Sequence, residues 1–183
     1  MIRGDSKEYK LLAKWAIDFD CQGYKTVEIG VREGLGSKII LESCTNYFMH
    51  IGIDPYANLK YSHYDGGPPI TCDYTNKMRD QLLEDFKIYK PKFQLANITD
   101  CEFMEFRAFG ESTYAFVHFD GPHMSRDVMT EAIWFANRSA PHTRFVFDDY
   151  KSYKMKIIAV ALTLFGFKTL EKGENKICLE KKP

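Results

Sequence analysis

Apolar positions along the 183-residue chain fall into two alternating rhythms. From Ser6 to Phe19, residues Tyr9, Leu12, Ala13, Ala16 and Ile17 recur three and four apart, which predicts a helix with one apolar stripe; Asp5 or Ser6 is its candidate cap. Thr26–Ile29 is a short β-type run that enters a turn punctuated by Gly30, Gly34 and Gly36, and a helix-type run leaves it from Ser37 to about Cys44. Tyr47–Ile53 is continuously apolar, as a buried parallel strand requires, and stops at Asp54-Pro55. Further helices are predicted over Thr75–Tyr89, from Thr99-Asp100 through Phe106, over Ser125–Asn137 with Ser125 as cap, and over Lys154–Phe165. Strands are predicted at Phe93–Ile98, Tyr114–Phe119 and Thr143–Phe147, with a closing hairpin of Phe167–Leu170 and Lys176–Glu180 turned at Gly173 and Asn175.

Strict alternation of helix and strand predicts an α/β domain: a mostly parallel sheet with helices on both faces and an antiparallel hairpin near one edge. One domain over residues 1–183 is expected, residues 1–22 holding the N-terminal helix. Residues 56–73 break the rhythm around Gly66-Gly67-Pro68-Pro69. A loop of that length in a compact domain is commonly functional, and Tyr56, Tyr61, His63 and Tyr64 make it a candidate substrate lid.

Composition narrows the partners. The chain is 45% hydrophobic and 27% charged, and its 25 basic and 25 acidic residues cancel, which gives no electrostatic footprint for nucleic acid or an anionic membrane. Cys21, Cys44, Cys72, Cys101 and Cys178 are scattered without a C-x-x-C pair, which disfavours a zinc site and points to a reducing compartment. There is no apolar signal core and no apolar run of the ~20 residues that a membrane helix needs. The expected setting is cytoplasmic, without a membrane partner; self-association is left open.

The chemistry collects at the carboxyl ends of the strands, where open α/β sheets bind ligands. Strand one ends in the glycine turn, strand two in Asp54, strand three near Asp100, strand four in Asp120 and His123, and strand five in Asp148 and Asp149. The glycine spacing G-x-x-x-G-x-G is neither the dinucleotide nor the P-loop pattern. Glu28, two residues before Gly30, suits a cationic amino-acid group better than a pyrophosphate, and Asp54 is placed to accept both hydroxyls of a ribose. A ligand with a ribose, an ammonium and no phosphate describes S-adenosylmethionine. His118, alternating within a buried strand, reads as a packing residue, and His142 as a loop residue.

Val27-Glu28-Ile29-Gly30-Val31-Arg32-Glu33-Gly34 resembles motif I of the class I S-adenosylmethionine-dependent methyltransferases, and Ile51-Gly52-Ile53-Asp54-Pro55 resembles their second-strand acidic motif. Phe116–His123 with Phe145–Tyr150 is similar to the branch containing the macrocin- and novobiocin-type sugar O-methyltransferases. The resemblance implies a Rossmann-like, doubly wound seven-stranded sheet of order 3-2-1-4-5-7-6. It implies cofactor contacts from Glu28, Gly30, Gly34, Ser37 and Asp54, with Asp100 near the adenine. It also implies a divalent metal, Mg²⁺, on Asp120, Asp148 and Asp149, with His123 as general base and Asp120 beside it in catalysis.

Elementary chemistry asks for similar parts, because an acceptor hydroxyl is a poor nucleophile until a cation or a neutral imidazole assists its deprotonation. Hard Mg²⁺ prefers carboxylate oxygens. The expected reaction is methyl transfer to a hydroxyl of a sugar or small glycoside. Two other readings are a nicotinamide-dependent oxidoreductase, disfavoured by the glycine spacing, and a catalytically silent S-adenosylmethionine-binding module. The chain departs from the branch at Gly36, where Ser is frequent and Gly is expected to be tolerated. It departs again at the Ser139-Ala140-Pro141-His142 turn and in lacking a large N-terminal cap.

Overall fold

The computed structural model of the chain describes all residues except 1–3, 5, 18–22, 45, 47–48, 72 and 108–111. Cys21, Cys72, Asp5 and the start of the Tyr47–Ile53 run lie outside the described residues. Seven strands form the main sheet: β1 (Lys25–Ile29), β2 (Met49–Ile53), β5 (Phe93–Ala96), β6 (Tyr114–Phe119), β7 (Ser139–Phe147), β8 (Phe167–Lys172) and β9 (Ile177–Lys181). Their order is β5-β2-β1-β6-β7-β9-β8, which is 3-2-1-4-5-7-6 when these seven are counted along the chain. The first five are parallel, and β9 runs antiparallel to both β7 and β8. The Rossmann-like architecture and the closing hairpin are as expected.

Helices cover both faces because the strands alternate their side chains between them. Phe145 and Phe147 of β7 pack in the cluster that takes Phe103 from α4 (Asp100–Phe106), Val128 and Phe135 from α5 (Ser125–Ala136), and Ile158 and Leu162 from α6 (Met155–Thr163). Val146, between them, joins Leu12 and Trp15 of α1 (Tyr9–Ile17) and Ile40 of α2 (Leu35–Ser43) on the opposite face. A third cluster binds α2 to α3 (Asn76–Asp85) through Leu41, Leu82 and Phe86. Among the described residues no helix is long and apolar enough to cross a membrane.

The insert after β2 has structure of its own: β3 (Lys60–Ser62) and β4 (Pro69–Thr71) pair as a small antiparallel hairpin. It is reached through Tyr56, Ala57 and Asn58, all at positive φ, and Tyr56 is wholly buried instead of facing a substrate. The expected turn at Ser139–His142 is part of β7. Between the Tyr114–Ser139 and Phe116–Arg144 pairings the register shifts, and this bulge accommodates Ala140–Thr143 with His142 at φ +62°. Ser125 is the first residue of α5, so it does not cap it. Its backbone and hydroxyl donate to the carboxylate of Asp65 in the insert.

Candidate active site

The strand ends form a stepped row. Gly30 N–H donates to the carbonyl of Ile53, Asp54 N–H to Ala96, Asp120 N–H to Ile29 and Asp148 N–H to Phe119, at 2.9–3.1 Å. The register of the parallel sheet therefore delivers Gly30, Asp54, Asp120 and Asp148 to one rim.

Gly30 has φ +83°, and a Cβ there would stand 2.1 Å from the carbonyl oxygen of Asp120, so only glycine lets the turn pass so close to β6. Asp54 braces the turn. Its Oδ2 accepts from the N–H groups of Val31 (3.0 Å) and Arg32 (2.9 Å), and its Oδ1 from Tyr56 N–H (3.0 Å). The Tyr56 hydroxyl closes the brace on the carbonyl of Arg32 at 2.6 Å. Of about four acceptor positions on a carboxylate, the protein uses three, which leaves one for a ligand hydroxyl where two were expected. Burial raises the Asp54 pKa in spite of these N–H donors.

Beneath the rim a chain of buried polar side chains crosses three strands. Thr26 and His50 are register partners on β1 and β2, as are Glu28 and His118 on β1 and β6. Thr26 Oγ1 lies 2.9 Å from His50 Nδ1, and His50 Nε2 lies 2.9 Å from Ser37 Oγ. Ser37 donates to Glu28 Oε2 at 2.5 Å, and His118 Nδ1 lies 2.8 Å from Glu28 Oε1. His118 Nε2 is 3.1 Å from the ammonium of Lys176. One assignment of protons satisfies every link. Lys176 donates to His118 Nε2, so His118 carries its proton on Nδ1 and donates it to Glu28. On the other side Thr26 donates to His50, His50 to Ser37, and Ser37 to Glu28. Burial holds both histidines below their ordinary pKa, His50 at about 3, so both are neutral at pH 7. His118 is thus buried as expected, but it is a polar link and not a packing residue.

Lys176 precedes β9, is fully buried, and also lies 2.8 Å from Asp148 Oδ1 and 2.8 Å from Ser6 Oγ. Ser6 donates to Asp148 Oδ2 at 2.6 Å. Asn175 donates its side-chain amide to Asp149 Oδ1. The turn that carries Asn175 and Lys176 is held by Glu8, whose carboxylate accepts the backbone N–H groups of Glu174, Asn175 and Lys176, each at 2.8 Å. Burial alone would raise Asp148, but the Lys176 ammonium keeps it ionised. Asp120 is pushed well up by burial and by the charge of Asp148, so its carboxyl is the protonated partner of that pair.

His123 follows on the rim, 5% exposed. Its Nδ1 lies 3.2 Å from His63 Nε2, while its own Nε2 is buried with no hydrogen-bond partner among the described residues. Burial, then the neighbouring His63, lowers its pKa to about 4.

Two cavities adjoin at this rim. One, of about 210 Å³, is lined by Ile29, Ile53, Asp54, Tyr61, Asp100 and Pro122 among others. The other, of about 290 Å³, is lined by Glu28, Gly36, Tyr64, His123, Asp148 and Asp149 among others. Gly30, Tyr74 and Asp120 line both. The expected residues therefore converge, with two exceptions. Gly34 packs against Leu82 and Phe86, and Ser37 is fully buried under Glu28, so both support the site from beneath and line neither cavity. Gly36 leaves room for the Glu28 carboxylate, since a Cβ there would fall 1.9 Å from Oε1. Lys176, Ser6 and Glu8 belong to the site without having been marked by any local motif.

A family model described as "Methyltransferase domain" matches residues 27–150. The chain belongs to this methyltransferase domain family, and its fold is that of the class I S-adenosylmethionine-dependent methyltransferases. Curated protein sequences offer no match. Solved structures share the fold at low identity. The calicheamicin methyltransferase CalS11 superposes with a TM-score of 0.62 and 12% identity, over 94% of this chain and 76% of that one. SMU.1697c, a putative methyltransferase from Streptococcus mutans in complex with SAH, gives 0.64 and 8%, over 97% and 99%. MycE, a methyltransferase of the mycinamycin biosynthetic pathway in complex with Mg, SAH and mycinamycin VI, gives 0.60 and 14%, over 94% and 48%.

Proposed function

We propose that this chain transfers the methyl group of S-adenosylmethionine to a hydroxyl of a sugar or small glycoside, with His123 as the general base. The observation that carries the reading is the buried, unpartnered Nε2 of His123 on a cavity shared with the glycine turn. A methyl donor held at Gly30 and an acceptor held at His123 would meet in that cavity, the proximity that a displacement at a sulfonium methyl needs.

Each part has a role in this reading. The mostly apolar cavity with Asp54 and Asp100 on its wall suits an adenosine, and Glu28 on the larger cavity suits the cofactor ammonium. With its proton on Nδ1, facing His63 Nε2 at 3.2 Å, His123 would keep the Nε2 lone pair to take the acceptor proton. The acceptor oxygen attacks the methyl carbon, the sulfur–carbon bond breaks with its electron pair going to sulfur, and S-adenosylhomocysteine leaves. Tyr64, 41% exposed and stacked 5.9 Å from His123, offers an aromatic platform for the apolar face of a sugar, and Asp149 and Asn175 offer hydrogen bonds to its hydroxyls. The β3–β4 insert, which brings His63 and Tyr64, serves as the acceptor-side lid. Calicheamicin and mycinamycin, named for two similar structures, are small-molecule precedents.

The expected Mg²⁺ does not fit the donor set. Asp148 is engaged by Lys176 and Ser6, Asp149 by Asn175, and Asp120 by its shared proton with Asp148. Glu28, His118 and Asp120 bring ligand-type atoms within 4.8 Å of one another, but both ring nitrogens of His118 are already in hydrogen bonds.

Calorimetric titration with S-adenosylmethionine, then a screen of hydroxylated glycosides for methyl transfer, tests the reading. Cofactor binding with transfer lost in His123→Gln is the expected result. Absence of heat with S-adenosylmethionine overturns it.

A further inference from the structure

The structure assigns Lys176 as the resident cation of the acceptor site: its ammonium stands where a divalent metal would neutralise Asp148 and its neighbours, and it excludes that metal. The assignment rests on the proposed methyl-transfer reading for its meaning, but its geometry stands apart from it.

An ammonium has three N–H donors. Lys176 uses two of them in hydrogen bonds, to Ser6 Oγ at 2.8 Å and His118 Nε2 at 3.1 Å, and its charge pairs with Asp148 Oδ1 at 2.8 Å. The Tyr9 ring lies at 5.8 Å on a further side. The group is ion-paired, twice hydrogen-bonded and fully buried, so leaving for water would abandon a buried carboxylate. A Mg²⁺ ion binds carboxylate oxygens at about 2.0–2.1 Å. On Asp148 it would share a carboxylate with a buried positive charge that has no route to solvent.

Nor is the lysine placed by chance rotamer. Three backbone N–H groups converge on the single carboxylate of Glu8, and they belong to Glu174, Asn175 and Lys176. This clamp fixes the hairpin turn so that consecutive residues reach the two consecutive acids: Asn175 takes Asp149 and Lys176 takes Asp148. The N-terminal segment adds Ser6 to the same oxygen pair. The two ends of the chain thus close the carboxylate cluster from one side and leave His123 facing the cavity from the other.

Lys176 does not line the cavity, so it is a positioning residue. It keeps Asp148 ionised and His118 in the Nδ1–H tautomer that holds Glu28. Deprotonation of the acceptor then falls to His123 without Lewis-acid help.

The test is Mn²⁺ binding followed by electron paramagnetic resonance, on the full chain and on Lys176→Gln and Lys176→Met, with folding checked by circular dichroism. Wild type is expected to leave Mn²⁺ free at millimolar concentration, and at least one folded variant to bind it about tenfold or more tighter, through release of the buried pair. Reversal of that gain by adding Asp148→Asn to the binding variant is also expected. Mn²⁺ bound by wild type at micromolar concentration overturns the assignment, and so do folded variants that gain nothing. If both variants fail to fold, the wild-type measurement decides alone. S-adenosylmethionine titrated into the same wild-type sample reads the methyl-transfer proposal separately.

Discussion

His63 and His123 are joined twice. The backbone N–H of His123 donates to the carbonyl of His63 at 2.9 Å, and the two rings meet at 3.2 Å between His123 Nδ1 and His63 Nε2. Docking of the insert and orientation of the base are therefore one interaction. His63→Ala keeps the backbone link and removes only the ring. The expected outcome is a loss of about tenfold or more in methyl-transfer rate with cofactor affinity unchanged, because His123 loses the partner that fixes its tautomer. Rates and S-adenosylmethionine titrations measured in parallel check this, and an unchanged rate would remove His63 from the mechanism.

The same burial that frees His123 makes the fold acid-sensitive. His50 and His123 have pKa values of about 3 and about 4 in the folded protein, against 6.5 for an unperturbed side chain. Between these values the unfolded chain binds more protons, so stability is present above pH 6.5 and is lost as pH falls. Going from pH 7 to pH 5 is expected to cost about 2 kcal/mol for each of the two histidines. Urea unfolding at the two pH values measures it. His50→Gln is expected to flatten the dependence, and an equally steep dependence in that variant would count against the buried neutral imidazole. The rate of transfer by folded protein follows His123 alone: it is expected to fall as pH approaches 4, where His123 is protonated.

Much of the fold was legible because each strand and helix announces itself over a few residues. The apolar rhythm marked all seven sheet strands, and acids or turn glycines marked the carboxyl ends of the five parallel ones. What stayed hidden is what arises between distant segments. Lys176 reads as an ordinary residue at the start of a strand, and only the antiparallel pairing of β9 with β7 sets it against Asp148. His118 looked like core because strand alternation reports burial and not the identity of the neighbour, which here is Glu28 in the next strand's register. The β7 bulge was hidden for the converse reason: Pro141 and His142 are turn-like locally and stay unpaired, and only the pairing that resumes at Arg144 shows that the strand continues past them.

Gly30 and Gly23 separate two costs of adding a side chain. Both sit at positive φ, but among the described residues a Cβ at Gly23 meets nothing within 4 Å, whereas at Gly30 it meets Asp120 and Gly121 backbone atoms at 2.1 and 2.8 Å. Gly23→Ala is expected to cost about 1 kcal/mol from the left-handed conformation alone. Gly30→Ala is expected to cost more than about 3 kcal/mol and to abolish cofactor binding, because the glycine turn has to move away from β6. Thermal unfolding and calorimetry on the two variants distinguish them. Similar losses in both would show that the close approach at Gly30 contributes nothing beyond its φ.

The direction of the hydrogen-bond chain is testable at Glu28, its only member that accepts from both sides. Ser37 donates to one oxygen and His118 to the other, and neither donor can turn round. Ser37 already accepts from His50, and His118 Nε2 already accepts from Lys176. Glu28→Gln replaces one acceptor by an NH₂ donor and sets two donors face to face in a fully buried position. The substitution is nearly isosteric, so packing is preserved and the loss isolates the polar conflict, expected at about 2–3 kcal/mol. A double-mutant cycle with His118→Ala carries the decisive measurement. If the conflict is with His118, removing that ring restores part of the stability lost in Glu28→Gln. If the two losses add, the proton order assigned here is wrong, and Lys176 is not the donor that sets the tautomer of His118.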